Sequence, residues 1–423
     1  MLLHFAWPVC AVLASLQDSD GKRPTTRAEW PDYRGPRRDG HAPEQAKLPL
    51  TWSNDKNVTW RTPIRGVAWS SPVIAAGLAW LTSAKDDGSE HYVIAVDVAS
   101  GKVVHDEKLW DIAKPAPKHE LNSYASPSPV LAGGRVFVHF GSYGSACIDT
   151  ATRKVLWQRR DLVCDHIVGP GSSPIAYDDL FVFHVDGGDV QYLVALDQAT
   201  GATRWKTKRS VDFRELSPDE RKAYSTPILV TVDGETRLLS AGAEAVYQYE
   251  AATGREVWRY RYRGYSMSAR PIAIDGVAYL TTAFNRPRLL ALDLSGEGDV
   301  SDRALVWEQK RNVPTMPSPV LDATRIYMSN DAGIASCLDR KTGERRWLLR
   351  LDAEVSASPL LAQGRVYFFD REGRTTVLAA SDELTVLARN ELGEGDGFMA
   401  SPAVVDDAFL LRSKRYLYRI EEQ

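Results

Sequence analysis

The sequence predicts an all-β protein: an eight-bladed β-propeller of four-stranded blades, closed by an N-terminal strand that completes the last blade. Ser-Pro, or a close variant, recurs before two apolar residues, a hairpin pattern follows each copy, and most copies end in an Asp-turn-Gly segment and a Trp. The marker prolines are Pro72, Pro129, Pro174, Pro227, Pro271, Pro319, Pro359 and Pro402. Their separation of about 40 to 57 residues is the period of four-stranded propeller blades.

The markers indicate where each blade starts. Proline has no amide hydrogen to donate to a β-ladder, so it is confined to strand starts and sheet edges. The segment from Arg135 to Phe140, after the second marker, alternates β-branched and aromatic residues and is bounded by glycines, as is typical of a strand. We therefore predict that each Ser-Pro opens the innermost strand of its blade.

The third strand of most units ends in Asp, and a turn ending in Gly follows, as in Asp197 to Gly201. This predicts a hairpin into a fourth strand, because Asp accepts hydrogen bonds from turn amides and Gly adopts positive φ. A tryptophan falls in that strand, and burial of its large ring predicts a role in packing the blades. The tryptophans assigned this structural role are Trp60, Trp157, Trp205, Trp258, Trp307 and Trp347.

The last unit has sequence for only three strands, over 403–405, 408–412 and 416–420. Residues 57–63 carry a fourth-strand tryptophan ahead of the first marker, so they are predicted to complete the last blade and remove the open edges of the ring. The chain is thus divided into a signal peptide (1–17), an N-terminal extension (18–51) and the propeller (52–423).

The apolar run 2–16 has the length of a secretory signal and is shorter than the roughly 20 residues of a membrane span. A lipid attachment at Cys10 and a buried N-terminal strand are the alternatives. Neither is favoured, because the residues before Cys10 do not form a lipid-attachment box and a polar, linker-like stretch follows at 17–26. The predicted location is the periplasm or the outside of the cell, with no membrane span.

Net charge and cysteine content argue against some classes of function. The formal net charge of −3 shows no dominant field, which argues against a nucleic-acid partner. Cys147 and Cys337 stand where other units have Ala, which predicts small buried residues. Cys164, in Cys-Asp-His, is either a thiol nucleophile beside a base or a buried structural residue. The second interpretation is favoured, because nothing local predicts a lowered thiol pKa.

The pattern Ala-x-Asp-x-x-Thr-Gly-x-x-x-Trp, clearest from Ala195 to Trp205, resembles the tryptophan-docking motif of the pyrroloquinoline quinone (PQQ) repeat family. The resemblance spans residues 52–423. It departs in the first unit, where His105 stands near the expected Trp, and in the seventh, which has neither the Gly turn nor the Trp. The segment from Trp30 to Pro36 also resembles the opening segment of secreted bacterial members.

The resemblance implies one of two functional classes. Quinoprotein dehydrogenases of the family hold PQQ and a calcium ion at the propeller centre and oxidise alcohols or sugars. Its scaffolds, such as the propeller lipoprotein of the outer-membrane β-barrel assembly machine, are not catalytic. The adjacent Cys pair of many methanol-type enzymes is missing here, as are HExxH, Walker A, GxSxG and zinc-type spacings. We predict a monomeric platform for a protein, carbohydrate or other small ligand, with no catalytic residue or cofactor. A PQQ- and calcium-dependent oxidoreductase is the alternative.

A binding site is predicted where the connections into the innermost strands converge around the channel. The candidate ligand-binding residues at this mouth are His119, Glu120, Asn122, Tyr124, Asp165, His166, Tyr265 and Arg270.

These candidates have several interpretations. His119, Glu120, Asp165 and His166 could hold a metal or act as acid and base, or they could contribute to a site for a peptide or small ligand. The favoured interpretation is that they bond loop backbone and water. Arg270 replaces the serine before Pro271 and either clamps an anionic group or pairs with a neighbouring acid, and pairing is favoured.

Overall fold

The computed structural model describes residues 29–282, 284–393 and 395–423, so the predicted signal peptide lies outside the described residues. In this part of the chain the strands form eight antiparallel sheets, numbered here as blades 1 to 8 in the order of the marker prolines. The predicted eight-bladed propeller is confirmed.

Each of blades 1 to 7 is built from four strands that follow one another along the chain, except that one short strand of another sheet precedes the fourth strand of blade 5. In blades 1 to 4 these are Val73–Ala75, Leu78–Ala84, Glu90–Asp97 and Val103–Asp111; Val130–Ala132, Arg135–His139, Ser145–Asp149 and Val155–Arg159; Ile175–Tyr177, Leu180–Asp186, Gln191–Asp197 and Thr203–Lys208; Ile228–Val232, Glu235–Gly242, Ala245–Glu250 and Glu256–Arg261. In blades 5 to 7 they are Ile272–Ile274, Val277–Thr281, Leu289–Asp293 and Leu305–Gln309; Val320–Leu321, Arg325–Ser329, Ile334–Asp339 and Arg345–Arg350; Leu360–Ala362, Arg365–Phe369, Arg374–Ala379 and Val386–Glu391. A short strand, Gly298–Asp299, pairs in parallel with the outer edge of blade 4, and one 3-10 turn covers Pro218–Arg221.

Blade 8 closes the ring. Its first three strands are Ala403–Val405, Ala408–Arg412 and Tyr416–Ile420, and the fourth is the N-terminal strand Val58–Pro63, which pairs antiparallel with Tyr416–Ile420. The closure predicted from the sequence is confirmed.

Successive strands alternate in direction, so the connections alternate between the two faces of the ring. We call the face that carries the loops into the innermost strands the loop face; it also carries the connections between second and third strands. The opposite turn face carries the turns after first and third strands. All eight candidate residues come from connections on the loop face.

The serines of the repeat form a ring of hydrogen bonds around the channel. The amide of the residue before a marker proline donates to the hydroxyl of its counterpart in the next blade. Within the described ranges seven such bonds, of 2.8–3.2 Å, run from Ser71 to Ser128, Ser128 to Ser173, Ser173 to Thr226, Arg270 to Ser318, Ser318 to Ser358, Ser358 to Ser401 and Ser401 to Ser71. The serine therefore joins neighbouring blades, whereas Arg270 has no hydroxyl to offer.

Replacing one ring serine by alanine should destabilise the protein measurably. In Ser358→Ala the buried amide of Ser318, now 3.0 Å from the Ser358 hydroxyl, loses its acceptor. We expect the free energy of unfolding to fall by about 1–3 kcal/mol, measured by denaturant titration. Ser358→Thr keeps the hydroxyl, as Thr226 does in blade 4, and should stay near wild type. Equal stability of the alanine and threonine variants would contradict this role.

The outer strands contact the following blade through tryptophan. Five indole Nε1 groups donate to a main-chain oxygen of the next blade at 3.0–3.1 Å: Trp60 to Val98, Trp157 to Gln198, Trp258 to Leu294, Trp307 to Arg340 and Trp347 to Ser381. Gly201 shows why the turn ends in glycine, because its φ is 72° and a Cβ there would lie 2.7 Å from the Trp157 ring.

Blades 1 and 7 depart from this pattern as their sequences indicate. His105 pairs with Ala95, the register position at which Trp205 pairs with Ala195. In blade 7 that position is Ala388. Cys147 and Cys337, both fully buried, lie opposite Trp157 and Trp347 at this same register position, which confirms their predicted small, buried role.

The N-terminal extension lies inside the central channel. Residues 30–42 hydrogen-bond or pair with the innermost strands, or the residues that open them, in blades 1, 2, 3, 5, 6 and 7. These partners are Ile74, Leu131, Ala176, Arg270, Pro319, Pro359 and Leu361. The chain then passes to the turn face, where the Lys47 amide donates to Asp407 (2.7 Å). The extension is therefore part of the packed propeller.

Candidate functional site

Two long connections of the loop face are hydrogen-bonded to each other. They are residues 112–129, between blades 1 and 2, and residues 160–174, between blades 2 and 3. The His119 amide donates to the Val168 carbonyl (3.1 Å), and Asn122 Nδ2 donates to the carbonyls of Val168 (2.8 Å) and Pro170 (3.1 Å). Asn122 thus fixes one loop against the other.

The side chains on these loops have different roles. His119, Glu120 and Asp165 are exposed, and Asp165 Oδ1 accepts from the Ile167 amide (3.0 Å). Tyr124 is buried and donates to the Ala116 carbonyl (2.9 Å). No group of three or more His, Cys, Asp or Glu side chains is placed to hold a metal ion in the ranges that the structure describes.

His166 and Cys164 lie together beneath the loop. Burial lowers the pKa of His166 to about 4 and raises that of Cys164 to about 12, so imidazole and thiol are both neutral near pH 7. His166 Nε2 accepts from the Ser142 amide (3.0 Å), which occupies the lone pair that a base would use. This geometry supports the structural interpretation of Cys164 over the nucleophile.

Tyr265 and Arg270 belong to another part of the ring. Tyr265 is half-buried in the loop that enters blade 5, with Lys222 Nζ 5.3 Å from its ring centre. Arg270 is fully buried and donates to Asp32 of the channel segment (2.6 Å). The favoured interpretation of Arg270, pairing with an acid, is thus found, and the acid comes from the N-terminal extension.

A buried network that the sequence did not reveal joins blades 3 and 4. Arg209 Nη2 lies 2.7 Å from Asp186 Oδ2 and 2.9 Å from both His184 Nδ1 and the Ser240 hydroxyl. His184 Nε2 contacts the Ser172 hydroxyl. Its members come from four separate segments of the chain, and only a break in apolar alternation at His184 and Asp186 hinted at it.

Ser172, His184 and Asp186 resemble a catalytic triad in composition, and His184 Nδ1 lies 3.2 Å from Asp186 Oδ2. Arg209 Nη2 has two hydrogens and three neighbouring acceptors, so His184 Nδ1 either accepts from Arg209 or donates to Asp186. Burial lowers the pKa of His184 to about 4, so the ring carries one proton near pH 7. Ser172, His184 and Asp186 are buried, and the network joins the two blades.

Neutral buried histidines should make stability pH-dependent. Burial lowers the pKa of His91 and His184 from 6.5 to about 4 and that of His139 to about 3. The unfolded chain therefore binds more protons than the folded chain below 6.5. Stability should be complete above about pH 6.5 and decline as the pH falls towards 4, as measured by urea unfolding.

Replacing His91 with phenylalanine isolates one contributor. His91 lies among aromatic rings, with the centres of Phe140 and Tyr143 5.0 and 4.9 Å away. His91→Phe should flatten the decline between pH 6.5 and 4. An unchanged slope in His91→Phe would disprove this assignment.

Comparison with known proteins places the chain in a family. A family model described as "Outer membrane protein assembly factor BamB" matches four overlapping segments, residues 50–162, 108–215, 189–316 and 297–390. The outer membrane protein assembly factor BamB of Yersinia pestis is 24% identical over 341 residues, which cover 76% of this chain and 77% of that protein.

Solved structures share the fold at lower identity. BamB from Moraxella catarrhalis has a TM-score of 0.60 and 14% identity, covering 86% of this chain and 99% of that chain. A europium-containing methanol dehydrogenase has a TM-score of 0.63 and 13% identity, covering 93% and 89%. Both functional classes thus have the architecture described here. Among the described residues, no helix has the length and apolar character needed to cross a membrane.

Proposed function

Because the chain belongs to the family of the outer membrane protein assembly factor BamB, we propose that it is a non-catalytic platform that binds a protein partner in the periplasm or outside the cell. The observation that carries this proposal is the surface of the tied loops on blades 1 to 3. Fold alone does not choose between scaffold and enzyme.

The loop-face patch combines exposed apolar and acidic side chains. Leu121, Val163 and Val190 are 40%, 54% and 36% exposed. Exposed carboxylates accompany them, at Glu120, Asp165 and Asp189.

The three loops that carry the patch are hydrogen-bonded to one another. The Asp165 amide donates to Asp189 (2.7 Å), which joins the Val163 loop to the Val190 loop, and the His119–Val168 bond joins the Leu121 loop. Exposed apolar groups beside acidic ones favour a protein partner with apolar and basic groups.

The filled channel supports the scaffold over the quinoprotein alternative. The resemblance implies that a quinone and its calcium ion would lie at the propeller centre. There, Arg34 is fully buried with its guanidinium bonded to the carbonyls of Pro319 (2.9 Å) and Pro359 (2.8 Å), and Asp32 is bonded to Arg270. The residues at the centre do not fit the cofactor, because segment 30–42 lies in the channel and is bonded there to the innermost strands and the residues that open them.

Affinity purification from the protein's own host tests the proposal. The patch variant Leu121→Lys/Val163→Lys/Val190→Lys places three cations where a basic partner would dock. We expect a specific envelope protein to be recovered with wild type and to fall at least about tenfold with this variant, the effect of 1.4 kcal/mol, by quantitative mass spectrometry.

A matched variant controls for added charge. Val306→Lys/Leu348→Lys/Leu387→Lys alters outer strands of blades 5 to 7 at residues 54%, 38% and 40% exposed. It should retain the partner. If only the control variant loses the partner, the interface lies on the outer edge of the blades. If wild type recovers no specific partner, the proposal of a binding platform is contradicted.

A further inference from the structure

Arg412 is a buried cation, and one edge of its guanidinium has no hydrogen-bond acceptor among the described residues. It ends the second strand of blade 8 and is 1% exposed. Its Nη1 donates to the main-chain oxygens of Ser70 and Thr82 in blade 1, both at 2.9 Å. Nε and Nη2 have no acceptor among the described residues.

The unused edge has a defined chemistry. Nε–H and an Nη2–H lie side by side in the guanidinium plane, the arrangement to which a carboxylate binds with both oxygens. A buried charge without a counter-ion is costly, and an anion here would remove that cost.

Two other buried arginines have the carboxylate partner that Arg412 lacks, whereas Arg34 donates to main-chain carbonyls instead. Arg209 pairs with Asp186 at 2.7 Å and Arg270 with Asp32 at 2.6 Å. No carboxylate lies within ion-pair distance of Arg412 in the described part of the chain, and burial alone lowers its pKa to about 9.

A second open donor is next in the chain to Ser70, to which Arg412 donates. Trp69 precedes Ser70, and its Nε1 is also buried without an acceptor in the described ranges. The Trp69 side chain is half-buried in the connection that enters blade 1, on the loop face. Since both open groups are donors, the matching ligand is an acceptor reached from that face.

We propose that Arg412 and Trp69 form a carboxylate-binding site at the junction of blades 8 and 1. The two carboxylate oxygens accept from Nε and Nη2 of Arg412, and Trp69 lies on the side from which the ligand enters. The ligand is a small organic acid or the terminal carboxylate of a peptide, since both present the same group. The site is separate from the loop-face patch.

Thermal unfolding of the full chain in acetate tests the site. At constant ionic strength, with chloride as the balancing anion, acetate should raise the melting temperature saturably by about 2 °C. Acetamide, which has the same shape without the charge, should not. Arg412→Met should abolish the rise, whereas Arg415→Met, which removes a charge from an exposed position three residues away, should retain it.

No acetate-specific rise in wild type, or the same rise in Arg412→Met, would overturn the proposal. If Arg412→Met does not fold, Arg412→Lys keeps the charge without the planar fork and should raise the half-saturating acetate concentration about tenfold.

A tripeptide with a free C-terminus, compared with its C-terminal amide, identifies the source of the carboxylate. A free peptide that acts at lower concentration than acetate, with an inactive amide, assigns a chain terminus. Equal action of the free peptide and acetate assigns a small acid. An amide as effective as the free peptide would contradict carboxylate recognition.

Discussion

A chain that begins at Ile64 should fail to form a stable ring. It lacks the fourth strand of blade 8, so the edge of Tyr416–Ile420 is left unpaired. It also lacks Trp60, whose indole bonds to Val98 of blade 1 (3.0 Å). The truncation also removes Trp52, which is buried. Loss of one buried aromatic costs about 3–5 kcal/mol, and a typical total stability is about 5–15 kcal/mol. We expect aggregation and no cooperative melting by calorimetry.

A circular permutant supplies the control. The Glu421 amide donates to the Asn57 carbonyl (3.0 Å), so the C-terminus lies beside the start of the closing strand. Residues 64–423 followed by a short linker and residues 51–63 should melt cooperatively, at a lower temperature than wild type because the channel segment and Asp32 are absent. Neither protein contains residues 29–50, so a difference between their melting transitions reports the effect of the closing strand. Equal melting of truncated and permuted chains would refute closure by this strand.

Asp32→Ala should be among the most damaging single substitutions. It leaves the guanidinium of Arg270, 1% exposed, without its carboxylate partner. Removing one member of a buried ion pair costs about 3–5 kcal/mol. We expect a loss of this size in the free energy of unfolding, measured by denaturant titration.

The double variant Asp32→Ala/Arg270→Ser should recover most of this loss. It removes both charges and gives residue 270 the hydroxyl with which its counterparts accept the amide of the preceding blade. An Asp32→Ala protein as stable as wild type would argue against the pair. A double variant no better than the single would argue that the loss comes from the channel packing of Asp32.

The architecture could be predicted because its signals are local and repeated. Each marker proline directly precedes an innermost strand, as Pro72 precedes Val73–Ala75 and Pro402 precedes Ala403–Val405. The missing strand of blade 8 was apparent from the length remaining after Ser401. Both features depend on turn chemistry and strand propensity, which act within a few residues.

The channel contents could not be predicted, because they depend on contacts between distant segments. Asp32 and Arg270 are 238 positions apart, and only the absence of serine at 270 pointed to a special role. Polar loop residues such as His119 and Glu120 were recognised as candidates, yet nothing in the sequence showed that they stay exposed. Their roles in binding remain predictions.

A thermal-shift titration with PQQ, with and without calcium, tests most directly the claim that this propeller's centre serves structure and not a cofactor. Residues 30–42 lie in the channel and are hydrogen-bonded to six blades. We predict no saturable rise in melting temperature at any PQQ concentration, with or without calcium. A ligand at 100 times its dissociation constant stabilises by about 2.7 kcal/mol, so a saturable, calcium-dependent rise would be visible and would contradict the account in favour of a quinoprotein.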